Sequence, residues 1–388
     1  MYAALLILLS VSLLLILHTY FFFPLLMMML HRKEKDRRVV FDLSDDLPMV
    51  AVLVAAHNEE KVIGQKLNSV FNSSYPLSRI KVYVGSDASG DNTDQIITGL
   101  QEKFSNLQLV RFNGRVGKIS IINHLQSLGD EDILVMTDAN VIFDADTIYE
   151  LVKYFRSEQV GIVAGNIVKR GDDHKGIAWQ EKTYLTLENR LKEAESNGYN
   201  LVMGAEGGCY AIRNKLYSKV PLKFIVDDFF ITMQVMLRGY QVLFNPRALC
   251  QEDVPGDVTG EFRRKVRISS GNFQNLLFFR SVLAKPFSPL GFCFWSHKVL
   301  RWMTPFLLIT ALVTSAILIY YNQYFIWLLA IQLAGMLAPV LDHVINFRNH
   351  LLKSISHFYL MNLALLTGFV RFLRGIRSSV WQPISRDV

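Results

Sequence analysis

The sequence predicts an α/β domain built on a parallel sheet, with membrane helices at the two ends of the chain. Three observations carry this. Four short apolar, β-prone runs alternate with helical spacings between Met49 and Met136, the pattern of strands joined by crossover helices in a parallel sheet. The run Tyr2–Leu30 holds no charged side chain apart from His18 when protonated, and about 20 apolar residues suffice to cross a bilayer. Two more such runs, Met303–Tyr320 and Tyr324–Leu341, lie late in the chain.

The apolar excess (51% hydrophobic residues over 388) sits at the two ends. Tyr2–Leu30 lacks a basic leader and a small-residue cleavage site, so it reads as a retained anchor. His31–Arg38, HRKEKDRR, follows at once. Positive charge stays cytoplasmic, which puts the N-terminus outside and the chain from His31 onward inside. The late pair reads as a hairpin that crosses outward and returns, with Lys285, Lys298, Arg301, Arg348 and Lys353 on its cytoplasmic flanks. The run His357–Val370 is shorter and precedes Arg371, Arg374 and Arg377. An interfacial or re-entrant helix keeps those arginines inside. The expected divisions are an anchor at 1–30, an α/β domain at 45–280 and a membrane region at 285–388, with an interfacial or third span near 356–374. Basic membrane flanks and anionic lipid account for the net charge of +7 without nucleic acid. Cys209, Cys250 and Cys293 form no zinc or disulfide pattern, which fits a reducing cytosol.

Met49–Ala56 is the first predicted strand. Glu59–Phe71 is a helix with Val62, Leu67, Val70 and Phe71 inward. Ile80–Val84 is a strand ending at Gly85-Ser86-Asp87, and Asn92–Phe104 a helix burying Ile96, Ile97 and Leu100. Leu107–Phe112, the helix Lys118–Leu128 and the buried strand Ile133–Met136 complete the alternation. Beyond it, Ile177–Ser196 reads as a long amphipathic helix, and a second helix opens at Asp227-Asp228 and stops at Gly239.

In an open α/β sheet, ligands sit beyond the carboxyl ends of the strands. Those ends carry His57-Asn58-Glu59-Glu60, Ser86-Asp87-Ala88-Ser89-Gly90-Asp91, Asn113-Gly114-Arg115-Val116-Gly117-Lys118 and Thr137-Asp138-Ala139-Asn140. Acids, a small basic loop and glycines on one rim suit a nucleotide diphosphate and a divalent cation. Lys and Arg neutralise phosphate, and oxygens such as those of Asp138 and Asn140 hold hard cations. Gly204–Cys209 is glycine-rich, which allows close approach to a ligand. Each stretch alone also fits a plainer role: Asp and Asn favour turns, and acids at a helix start act as caps.

Taken together and in order, these motifs resemble a membrane-bound family-2 glycosyltransferase with the GT-A fold, a Rossmann-like nucleotide-diphospho-sugar transferase domain, of the polysaccharide-synthase type. The resemblance covers roughly Val50–Asn275. Val54–Glu60, with Ala55, Asn58 and Glu60, resembles the first nucleotide-binding motif. Asp87 matches the acid near the nucleotide base, and Arg115, Gly117 and Lys118 with Asn123 resemble the basic loop at uracil and diphosphate. TDAN takes the DxD position, so Asp138 and Asn140 are the implied metal ligands for Mg²⁺ or Mn²⁺. GAEGGCYAIR, with Glu206, Gly207 and Gly208, resembles the acceptor-side motif. Asp228 matches the general base of an acidic pair with Asp227. Glu252, Pro255 and Arg264–Ile268 fall where the last motif belongs, with Arg267 its arginine. Four positions depart from the family. Asn140 replaces the second DxD acid, Asp227 stands where Glu is commoner, and Arg264 and Ile268 replace the glutamine and tryptophan of the QxxRW motif of processive synthases, of which only Arg267 is kept.

The resemblance implies a single inverting displacement from a nucleotide sugar, with UDP expected, to a glycan or lipid-linked acceptor at the cytoplasmic membrane face. Asp228 takes the acceptor proton, and Lys118 and Arg267 stabilise phosphate. His57 beside Asn58 reads as a structural histidine rather than a base. Two alternatives stand beside this: a polyprenyl-phosphate glycosyltransferase, and a silent membrane scaffold that binds nucleotide. A transporter fits least, since the spans lack charge pairs and inverted repeats.

Overall fold

The computed structural model describes residues 1–30, 38–170, 177–253, 258–345, 347 and 349–376, with the side chains of 169–170, 177–184, 253 and 258 left out. The stretch His31–Arg37, with Pro255, Arg348 and Arg377, lies outside the described residues. The chain divides into two compact units, one of Leu30–Gly256 and one of Met1–Met29 with Asp257–Ile376.

The first unit is an eight-stranded mixed sheet in the order β3-β2-β1-β4-β7-β6-β8-β5. Its parallel half comprises β1 (Val50–Ala56), β2 (Ile80–Asp87), β3 (Leu107–Phe112) and β4 (Ile133–Asp138), as predicted. Val52 pairs with Val82 and with Val135, so the apolar runs lie side by side. The joining helices are α1 (Ile63–Phe71), α2 (Thr93–Gln101) and α3 (Lys118–Gln126). The inward face of α1 is Ile63, Lys66, Leu67, Val70 and Phe71. Ile63 takes the place expected for Val62, because helical spacing from Leu67 and Val70 reaches it equally well.

The rest of the sheet was not legible as alternation. It holds β5 (Val141–Phe143), β6 (Val160–Arg170), β7 (Cys209–Arg213) and β8 (Gln241–Asp253). Strand β7 runs antiparallel to both β4 and β6. Its start therefore lies at the same rim as the end of β4, with Cys209 opposite Thr137. Helices α4 (Thr147–Val152), α5 (Ile177–Tyr199) and α6 (Asp227–Leu237) complete the unit.

The second unit is helical. Among the described residues, four helices are long and apolar enough to cross a membrane: Tyr2–Leu30, Pro289–Leu318, Phe325–Ile345 and His350–Leu373. Such a chain is membrane-associated. The first two join through facing π-helical turns, His18–Phe22 and Phe294–Val299. There His18 Nε2 meets Ser296 Oγ at 2.9 Å, and the Thr19 hydroxyl donates to the Ser296 carbonyl at 2.7 Å. Such wide turns release carbonyls from the helical ladder, and here one finds a side-chain donor. The last helix is continuous over 24 residues, beyond the apolar run His357–Val370. His350 and Lys353 interrupt the hydropathy but not the helix, so length allows a full crossing where the sequence suggested an interfacial segment.

Candidate active site

The parallel register brings Ala55, at the end of β1, opposite Asp138, at the end of β4. Asp87 ends β2 beside them. Two clusters form on this rim.

The first is centred on Asp87, which is fully buried. Arg115 Nε lies 3.0 Å from its Oδ2, and the Val116 N–H donates to Oδ1 at 2.6 Å. The Gly117 N–H donates to the same carboxylate at 3.2 Å. Gly117 has φ +84°, a left-handed conformation that glycine adopts without a Cβ clash, and it opens helix α3. The carboxylate predicted to meet the nucleotide base thus folds the basic loop onto the sheet. His57 Nδ1 meets the Asp87 carbonyl at 2.8 Å and must donate, while Nε2 faces Arg115 Nη1 at 2.7 Å and must accept. Both ring nitrogens are thus engaged within the protein. Asn58 and Glu60 tie down the neighbouring loop. Asn58 Oδ1 accepts the Gly90 N–H at 2.8 Å, and Glu60 Oε2 accepts the Asn92 N–H at 3.0 Å. Asn123 joins α3 to the loop before α6, accepting from the Tyr217 hydroxyl at 2.8 Å.

The second cluster gathers Lys118, Asp138, Gly207 and Asp228. Lys118 Nζ contacts Asp138 Oδ1 at 2.6 Å. Burial opposes its charge, but Asp138, Asp227 and Asp228 outweigh burial and hold its pKa above the usual lysine range. Asp228 lies in the first turn of α6. Its Oδ2 accepts the Gly207 N–H at 2.8 Å and its Oδ1 the Phe229 N–H at 2.6 Å. Burial, and then the charge of Asp227, raise its pKa to about 6 against the pull of Lys118 and those N–H groups. A Cβ on Gly207 would stand 3.1 Å from Asp228 Oδ2 and 3.4 Å from Lys118 Nζ. The backbone of the glycine motif is therefore wedged between the acid and the lysine. Gly208 is equally confined, by Val141 and Ile167. Glu206 pairs with Lys192, a residue 2% exposed on α5.

The two expected cation ligands differ in their surroundings. Asp138 keeps Oδ2 toward Gly208, where a Cβ would approach to 3.7 Å. Asn140 donates its amide to Glu252 Oε1 at 3.2 Å, which leaves its carbonyl oxygen as the donor atom. Among the described residues no three His, Cys, Asp or Glu side chains gather as a metal centre. The residues fit a divalent cation that takes one carboxylate from the protein and its other oxygens from a diphosphate. Arg267 belongs to the helix Val258–Phe278 of the second unit.

Two buried lysines escaped the sequence reading. Lys66 is fully buried below the TDAN turn, donating to Thr137 Oγ1 at 2.8 Å and the Val141 carbonyl at 2.5 Å. It also lies 3.3 Å from the centre of the Phe143 ring. Burial lowers its pKa to about 7, against the pull of Cys250, Cys209 and Asp138. Its position among Ile63, Leu67 and Val70 on the apolar face of α1 was the available signal. Lys192 has a similar signal: Glu188, Lys192 and Glu195 follow one another at helical spacing and are all buried.

Residues 51–220 match the family described as glycosyl transferase family 2. The chain carries a family-2 glycosyltransferase domain. A probable glycosyltransferase of Bacillus subtilis, YdaM, is 28% identical over 242 residues, covering 58% of this chain and 56% of that protein. A poly-β-1,6-N-acetyl-D-glucosamine synthase of Staphylococcus epidermidis is 25% identical over 286 residues, covering 68% of this chain and 66% of the synthase. The chain thus spans between about half and two thirds of the length of these curated relatives. The solved mannosyltransferase PcManGT from Pyrobaculum calidifontis, in complex with GDP-Man and Mn²⁺, superimposes with a TM-score of 0.71 at 22% identity. The match covers 94% of this chain and 99% of that one. This likeness, with the mixed sheet, establishes the GT-A fold.

Proposed function

We propose that this protein is an inverting glycosyltransferase that moves a sugar from a nucleotide sugar, with UDP the expected carrier, to a glycan or lipid-linked acceptor. It works at the cytoplasmic face of the cell membrane, in polysaccharide or glycoconjugate assembly. The observation that carries the reading is the meeting of Lys118, Asp138 and Asp228 around the Gly207 backbone. An anion-neutralising lysine, a carboxylate for a cation and a raised-pKa acid are the parts that sugar transfer from a diphosphate needs.

With a pKa of about 6, Asp228 is ionised at neutral pH and still basic enough to accept a proton. It takes the proton of the acceptor hydroxyl while that oxygen attacks the anomeric carbon. The bond from that carbon to the diphosphate oxygen breaks on the opposite face, which inverts the configuration. Lys118 moves its charge from Asp138 toward the departing phosphate. A divalent cation held by Asp138, with Asn140 as a weak second ligand, would neutralise the diphosphate. Glu206, Gly207 and Gly208 face the acceptor. Asp87, Arg115 and Gly117 shape the nucleotide side together with Ala55, Asn58 and Glu60, and Arg267 adds a phosphate contact.

The test incubates the purified full chain in nanodiscs with a panel of UDP- and GDP-sugars and membrane extract, followed by mass spectrometry. The expected result is an acceptor heavier by one or more sugars, with the inverted anomer by NMR. A mono-glycosylated polyprenyl phosphate as sole product would move the protein to the lipid-phosphate class. Neither transfer nor hydrolysis with any donor would defeat the reading in favour of a nucleotide-binding scaffold.

A further inference from the structure

Lys66 projects from the apolar face of α1, where Ile63, Leu67 and Val70 enter the core. It is fully buried. Taking an amine out of water is costly, and a methionine would fill a space of this length without that cost. Something other than packing must account for the nitrogen.

Its contacts give that account. Nζ donates to Thr137 Oγ1 at 2.8 Å and to the Val141 carbonyl at 2.5 Å, 3.3 Å from the centre of the Phe143 ring. Thr137 precedes the last residue of β4, and Val141 is the first residue of β5. Between them runs the turn that carries Asp138 and Asn140. Among the described residues, β4 pairs with β1 and β7, whereas β5 pairs with β8. No strand ladder therefore closes this turn, and the Lys66 nitrogen joins its two ends. A second bond from α1 supports the same segment: Ser69 Oγ accepts the Phe143 N–H at 3.1 Å. Alternate residues of a strand point to opposite faces. Thr137 shares the core face of Ile133 and Val135. The brace thus grips the turn from beneath, on the face opposite the Asp138 carboxylate. An amine keeps two N–H donors whether or not it carries the extra proton, so the brace does not depend on its charge.

We propose that Lys66 is a positioning residue for the cation site: by tying Thr137 to Val141 it fixes the turn that presents Asp138 and Asn140, and so sets the affinity for the divalent cation. This rests on the cation reading given above.

The test titrates Mn²⁺ into the purified full chain at saturating UDP and reads free Mn²⁺ by electron paramagnetic resonance. Lys66→Met keeps the length and the apolar fill and removes both donors. We expect the Mn²⁺ dissociation constant to rise ~10–100-fold, the scale found when groups that orient a metal ligand are removed. The half-saturating Mn²⁺ for transfer should rise with it. Thr137→Val removes one anchor of the brace and should raise the constant less. The double variant should fall short of the product of the two effects, because the residues share one bond. Thr137→Val also carries the test if Lys66→Met does not fold. A lower thermal midpoint with wild-type Mn²⁺ affinity in the folded variants would make Lys66 a core residue only and overturn the proposal. A wild-type chain that binds no Mn²⁺ in the presence of UDP would defeat the cation reading itself, and this proposal with it.

Discussion

Asp228→Asn separates a base from a helix cap. As a cap, Asn serves about as well as Asp, and transfer should barely change. As the base, Asp228 supplies ~10²–10⁴-fold in rate, and Asn removes proton acceptance at nearly constant size. Stability should not fall with it. The carboxyl is raised from 3.8 to about 6, a shift of about two units at 1.36 kcal/mol each, so its ionised form is disfavoured by ~3 kcal/mol in the fold. Because the folded pKa lies above the unfolded one, the protein is most stable below pH 4 with respect to this group and loses that ~3 kcal/mol as pH climbs through 6. Asn escapes that loss. Against it stands one N–H contact, from Gly207 or Phe229, that the amide NH₂ cannot accept, worth ~1.5–3 kcal/mol. The two terms nearly cancel at pH 7. We expect a thermal midpoint close to wild type, similar UDP affinity and transfer lowered at least ~10²-fold. Wild-type kcat should fall below about pH 6 as Asp228 is protonated. Scanning calorimetry, UDP titration and radiolabelled transfer on the purified variants check each part. Near-normal transfer by Asp228→Asn refutes the assignment, and a greater loss in Asp227→Asn moves the role back one residue.

Three further outcomes follow from the same geometry. Lys118→Gln should weaken UDP binding by ~10–100-fold, the scale of a charge-assisted contact of ~1.5–3 kcal/mol; unchanged affinity by calorimetry would remove Lys118 from the phosphate site. Chelation should abolish transfer and Mn²⁺ or Mg²⁺ restore it, with Asn140→Asp lowering the half-saturating metal concentration, because a carboxylate binds hard cations better than an amide; full activity in metal-free buffer excludes the cation. Cysteines placed singly at Tyr2 or Asn322 should react with an impermeant thiol reagent on intact cells, and one at Ser105 should not; labelling at Ser105 reverses the orientation.

The parallel half of the sheet, its three crossover helices and the rim residues were legible from local pattern. Apolar runs such as Val50–Ala56 and Ile133–Met136 declare buried strands, because each must exclude water on both faces. Sequence order along such strands also fixes which loops share a rim, and so Asp87, Lys118 and Asp138 could be named in advance. Strands β6, β7 and β8 are not flagged this way. Their pairing is long-range, with β7 entering antiparallel between β4 and β6, and no local spacing encodes that choice. Tertiary structure also decided what each rim residue does. Asp87 spends its carboxylate on the basic loop, and Asn140 spends its amide on Glu252, more than a hundred residues away. Burial is likewise a property of the assembled fold. It turned Lys66 into a strut beneath the TDAN turn and raised the pKa of Asp228 to about 6. Composition gives the identity of these groups, but the desolvation and neighbouring charge that set their chemistry exist only once distant strands and helices close around them.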